Sequence, residues 1–159
     1  MTMMDSVDQQ RQRPANDPSW EHYATTTLQL LADRSLVVDL TREVPPAALA
    51  ALVEQGVGPT FGVLTACNPH GRALDDVWNR RLTHLLRIDV ASGGRAWVPA
   101  DGISPDGKHR ETGFAVSLPK PDARALACKY GQSAFFWFDG ASMWLVGAVV
   151  VSDDLRLPV

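Results

Sequence analysis

The chain is 159 residues long, with 45% apolar and 21% charged residues and a formal net charge of −3. That is the size of one domain around one core, and the acidic balance gives no overall pull toward nucleic acid or an anionic membrane. Only two cysteines occur, Cys67 and Cys128, outside any CxxC pair, which excludes a disulfide-stapled scaffold and suits a reducing cytoplasm.

Residues 1–17 are polar, rich in Gln, Asp and Arg, and read as a disordered tail without the layout of a signal peptide. A single domain is expected over residues 18–159. From Ser19, a plausible N-cap, Trp20, Tyr23, Thr27, Leu30 and Leu31 recur at helical spacing. A short strand over residues 36–40 follows. Pro45 and Pro46 then open a second helix that Gly56 stops.

Residues 61–67 carry almost no polar alternation and read as a central strand covered on both faces, ending at Asn68-Pro69. Asp75 or Asp76 caps a helix whose Val77, Trp78, Leu82, Leu85 and Leu86 form an apolar stripe, with Asn79, Arg80, Thr83, His84 and Arg87 opposite. After Gly93-Gly94 come a strand over residues 95–98, a polar loop and a strand over residues 113–118. A helix over residues 122–129 and a hairpin, residues 134–138 with 144–151 through Asp139-Gly140, complete the chain. The order predicts an α+β fold with a mixed, mostly antiparallel sheet of five to six strands and helices packed mainly on one face. No apolar run approaches the length of a membrane span, so the protein is expected to be cytoplasmic, with no membrane partner.

The most informative stretch is FGVLTACNPHGR, residues 61–72, where a buried strand runs into a turn carrying Asn68, His70 and Arg72. Polar side chains at the end of such a strand are a common setting for a site, although Asn, Pro and Gly are also plain turn residues. Asn79 and Arg80 lie on the next helix and can look back at this turn. A guanidinium there can bind a carboxylate or phosphate in bidentate fashion, or simply be solvated. His109 and Glu111 share one face of an incipient strand, with Arg110 on the other. Glu111 reads as a carboxylate at a pocket rim, ion-paired with Arg72 or Arg80. Gln132 opens an apolar strand and needs partners for its amide if buried, whether from a ligand or from backbone. The spacing of His70, His109 and Glu111 matches no zinc signature, so no metal is expected.

The segments FGVLTACNPHGR, WNRRL, HRETGFAV and KYGQSAFFW, in that order, resemble the bacterial domain-of-unknown-function family 3293. Its pattern falls here on Thr65, Ala66, Asn68 and Pro69, on Asn79, on Glu111, and on Gly131 with Gln132. The resemblance covers roughly residues 34–140 and implies a small α+β domain, with no known activity, cofactor or partner. The functional expectation is an enzyme or enzyme-like domain binding a small anionic metabolite or nucleotide. Asn68, Arg72, Asn79, Arg80 and Gln132 would bind, and His70 or Glu111 would transfer a proton. Between residues 60 and 132, ten Lys/Arg stand against seven Asp/Glu, a local surplus that suits such an anion better than a nucleic acid. The alternative is a non-catalytic interaction or regulatory module, with a homodimer as one form of it, using the apolar strand Val146 to Val151 as an open edge.

Overall fold

The computed structural model describes residues 13–159. Strands β1 (Thr27–Leu30) and β2 (Val37–Asp39) precede helix α1 (Pro46–Glu54), strand β3 (Phe61–Thr65) and helix α2 (Asp76–Ser92). Then come β4 (Trp97–Ile103), β5 (Arg110–Glu111), β6 (Gly113–Val116), helix α3 (Lys120–Lys129), β7 (Ala134–Phe138), β8 (Met143–Gly147) and β9 (Leu155–Leu157). Short 3-10 turns occupy Pro14–Asn16, Trp20–Thr25 and Pro69–Gly71.

The sheet is larger than the expected five to six strands. Nine strands pair antiparallel in the order β2-β1-β4-β6-β3-β7-β8-β9, with β5 also on β4, and curve into a half-barrel. β5 and β6 keep one register against β4, from Trp97 opposite Val116 to Ile103 opposite Arg110, so they form one interrupted strand.

Period-two alternation divides the core between the two faces. Phe61 and Val63 of β3, Ala115 of β6 and Leu145 of β8 meet Leu28, Leu30 and α1's Ala48 and Leu52 on one face. Leu64, Phe114, Val116 and Val146 meet Leu86 and Val90 of α2 and Ala123 and Ala127 of α3 on the other. The helices therefore lie on both faces, two on one and α1 on the other.

Four further expectations are corrected. Residues 20–31 do not form a continuous helix. The run Thr25-Thr26-Thr27 is β-branched and stiff at χ1, and Leu28 and Leu30 alternate inward from a strand instead. Residues 1–12 of the expected tail lie outside the described residues, but 13–17 are placed, and Asp17 is buried. The polar loop after Val98 is mostly strand, because β4 continues through Pro99 to Ile103. Finally, the strand expected over residues 144–151 is shorter, since β8 ends at Gly147, with β7 along its length and β9 beside Met143 to Leu145. The outer strands of the sheet are β2 and β9, each three residues long, which limits edge-to-edge pairing.

Helix α2 starts as expected, with the Asp75 carboxylate accepting from the Trp78 amide at 2.9 Å. Its rotation differs. Leu86 and Val90 are buried and Leu82 half-buried, whereas Val77, Trp78 and Leu85 are exposed. The inward face begins with Asn79 and Thr83, an order that hydrophobic periodicity cannot reveal because its first members are polar. Among the described residues no helix is long and apolar enough to cross a membrane.

Candidate functional site

The turn after β3 combines side-chain hydrogen bonds with three backbone ones, from His70 N–H to the Gly131 carbonyl at 2.7 Å, Gly71 N–H to the Asn68 carbonyl at 3.1 Å and Arg72 N–H to the Pro69 carbonyl at 3.2 Å. The Thr65 hydroxyl donates to the Thr112 carbonyl at 2.9 Å and accepts from the Cys67 amide at 3.1 Å, which ties the end of β3 to the break between β5 and β6. Asn68 then adopts the left-handed conformation, φ 51° and ψ 57°, which its short amide side chain tolerates better than most residues do. Its Oδ1 accepts from the Leu74 amide and from Asn79 Nδ2, both at 2.9 Å, and its own backbone N–H donates to Asn79 Oδ1 at 2.9 Å. From the far side, Gln132 Nε2 donates to the carbonyls of Cys67 at 3.0 Å and Tyr130 at 3.2 Å.

The remaining donor, Asn68 Nδ2, reaches Glu111 Oε1 at 2.9 Å. This amide takes the place of the ion pair expected from Arg72 or Arg80. Among the described residues the Glu111 carboxylate has no other hydrogen-bond partner and no ion pair. Burial pushes its pKa up, the Asn68 bond opposes that, and the Asp17 charge adds to the rise more than His109 offsets it. A carboxyl with a pKa raised in the folded state stabilises the fold in acid, and that contribution disappears as the pH climbs through the raised value. Glu111 thus works against stability at neutral pH, as functional carboxylates commonly do.

Three residues that sequence reasoning missed complete the surroundings. Asp17 is buried, has no ion pair among the described residues, and accepts from the Ser19 amide at 2.8 Å and the Tyr23 hydroxyl at 2.5 Å. Burial, and then the Asp17 contact, hold the Tyr23 phenol well above its ordinary pKa, a rise that the buried Ser133 partly offsets. Gly71 leaves room for this group, since a Cβ there would stand 3.0 Å from Asp17 Oδ1. The one local signal was Asp17-Pro-Ser19, an Asx-turn pattern, hidden in a segment whose polarity reads as tail.

The structure thus brings Asn68, Asn79, Glu111 and Gln132 into one network about the turn, but not the other three candidates. His70 is exposed, and a Cβ on Gly131 would be 3.0 Å from its Nε2. It lines a groove of about 380 Å³ with Asp89, Lys129 and Tyr130, a lining that does not include Glu111. Arg72 and Arg80 are exposed on the flank and make no hydrogen bond or ion pair among the described residues. Nor do the described residues hold any group of three His, Cys, Asp or Glu side chains arranged for a metal ion.

Comparison with known proteins gives the chain a resemblance but no activity. Residues 64–135 match the family described as "Protein of unknown function (DUF3293)", a span running from β3 to β7 that holds Asn68, Asn79, Glu111 and Gln132 but not Asp17 or Tyr23. No curated protein and no solved structure matches the chain.

Proposed function

Starting from that resemblance, we propose that the chain is an enzyme or enzyme-like domain that binds a small metabolite beside the 68–71 turn, with Glu111 as the group that exchanges a proton. The observation that supports this reading is the state of Glu111. Its carboxyl is largely desolvated, one oxygen is fixed by Asn68, and the other has no partner among the described residues. A proton-transfer group needs a pKa moved toward neutrality and a free position from which to act.

Asn68, Asn79 and Gln132 serve as positioning residues that hold the turn and the carboxyl in place. With Asp17 nearby, the part of the ligand against Glu111 donates hydrogen bonds. An anionic end, as in a carboxylated or phosphorylated metabolite or a nucleotide, is met by Arg72 and Arg80. His70 has no role in this reading because its ring lies in the neighbouring groove.

The test is a thermal-shift screen of organic acids, sugar phosphates and nucleotides against the wild type and Glu111→Gln. A true ligand raises the wild-type melting temperature and leaves the variant unmoved. The unliganded variant itself melts about 2–4 °C higher at neutral pH, equivalent to about 1 kcal/mol, and that advantage vanishes in acid. Hits that shift both proteins equally, or an empty screen, would remove Glu111 from any site.

A further inference from the structure

We propose that the outward face of α2 docks an acidic amphipathic helix of a partner protein. Ten large apolar side chains are exposed among the described residues, and five of them, Leu74, Val77, Trp78, Leu85 and Ile88, lie on or just before this helix. Trp78, Arg81, Leu85 and Ile88 follow steps of three and four residues, which sets them along one side of α2, opposite the buried Leu86 and Val90, and Leu74 lies just before the helix. Trp78 is 54% exposed. Apolar stripes of this kind, rimmed by polar residues, are how soluble proteins receive amphipathic helices. From residue 77 to 88 the face runs about 16 Å, or roughly three helical turns, with Leu74 extending it at the N-terminal end.

The C-terminal half of the stripe opens on the 380 Å³ groove, where Leu85 and Ile88 face Pro69 and Tyr130. That groove offers a seat for one anchoring apolar side chain of the incoming helix.

Charge decides what kind of helix. Arg80, Arg81, His84 and Arg87 are exposed around the stripe and have no ion pair among the described residues. Arg81 lies 5.3 Å over the Trp78 ring, a stacking that leaves its N–H groups free to donate. Of the nearby acids only Asp76 has no hydrogen bond or ion pair among the described residues, one carboxylate against three guanidiniums. Asp75 caps the helix, and Asp89 is held by Lys129 at 2.8 Å and by the Tyr130 hydroxyl. The uncompensated charge of the face is therefore positive, and its complement carries carboxylates beside its apolar residues. A second copy is a poor complement. In a two-fold contact across this stripe each guanidinium cluster meets its own copy, since such a contact apposes the same patch from both subunits.

The probe is a synthetic four-turn peptide with Leu and Phe on one face and Glu on its flanks, paired with a twin in which every Glu is Lys. Fluorescence anisotropy of each labelled peptide is read against the full chain, alongside light scattering of the chain alone and flotation with phosphatidylglycerol vesicles. The acidic peptide is expected to bind and its Lys twin to fail. Trp78→Ala, and separately the Arg81→Glu/Arg87→Glu double variant, are each expected to weaken binding at least about tenfold. Because these side chains are exposed, the variants' circular dichroism and melting temperature stay near wild type.

Equal binding of both peptides, binding unaffected by the variants, or no binding at all would overturn the proposal. So would self-association lost in Trp78→Ala, which assigns the face to a second copy, or vesicle binding without peptide binding, which assigns it to lipid. The variants spare Arg72, Arg80 and Glu111, so the enzyme reading stands or falls separately.

Discussion

Gly113→Ala is expected to lower the melting temperature by about 6–12 °C, a loss of about 3 kcal/mol or more. A Cβ at this position would stand 2.5 Å from the carbonyl oxygen of Leu64 and 2.8 Å from that of Ala100. Both obstacles are backbone, one on β3 and one on β4, the two strands that flank β6. No side chain can swing aside to relieve the clash, so β6 must retreat from one neighbour and lose pairing. The damage is steric and local to the strand that delivers Glu111. Gly107→Ala separates this from ordinary glycine loss, because it meets nothing within 4 Å and incurs only the left-handed penalty at φ 72°, about 1 kcal/mol. Thermal unfolding of the two variants side by side decides the matter. If they lose the same small amount, β3 and β4 can spread to admit a methyl group and the strand is looser than its register implies.

Asn68→Ala follows, with an expected loss of about 2–4 kcal/mol from denaturant unfolding. The substitution deletes the bonds to the Leu74 amide, Asn79 Nδ2 and Glu111 Oε1, and asks alanine to hold φ 51°. Asn68→Asp isolates one of these terms. It retains an acceptor for Leu74 and Asn79 but sets a second carboxyl about where the amide nitrogen now lies, 2.9 Å from Glu111 Oε1. Two carboxylates so close cannot both be ionised, so one keeps its proton and the pair's pKa rises. By the same linkage that governs Glu111, the variant is weakest at neutral pH and recovers toward wild-type stability as the pH falls. A stability difference that ignores pH would show that the two side chains part once the amide is gone.

Asn68, Glu111 and Gln132 were legible in sequence because each breaks a pattern, and Asn79 because it lies on the helix directly after the turn. Asn68 ends a fully apolar strand, Glu111 precedes one, and Gln132 begins another. Polar residues at such boundaries must find partners, and here they find one another. The assignment failed where partners lie far off in sequence or where polarity points outward in pattern yet inward in fact. Asp17 was lost in a polar segment although the folded chain buries it under Tyr23. Trp78 was assigned to the core because helical spacing says which residues share a face, not which face is covered. Arg72 and Arg80 were drawn toward Glu111 by charge alone, whereas the turn geometry gives that carboxylate to an amide. The extra strands escaped for a simpler reason: Pro99, Asp101 and Gly102 look like loop, and β5 and β9 are too short to show a period.

The strand order also bears on how the chain is made. β3 lies between β6 and β7, so the partners of Phe61 to Val63 include Phe136 to Phe138, close to the end of the chain. At about 5–20 residues per second, roughly 4–15 s of synthesis separates the two. Throughout that interval an apolar segment destined to be covered on both faces waits for β7, and for most of it β6 has not been made either. Pairings so distant close slowly after release as well. Yield from recombinant expression is thus expected to respond to temperature and chaperone supply more strongly than the stability of the finished fold would suggest.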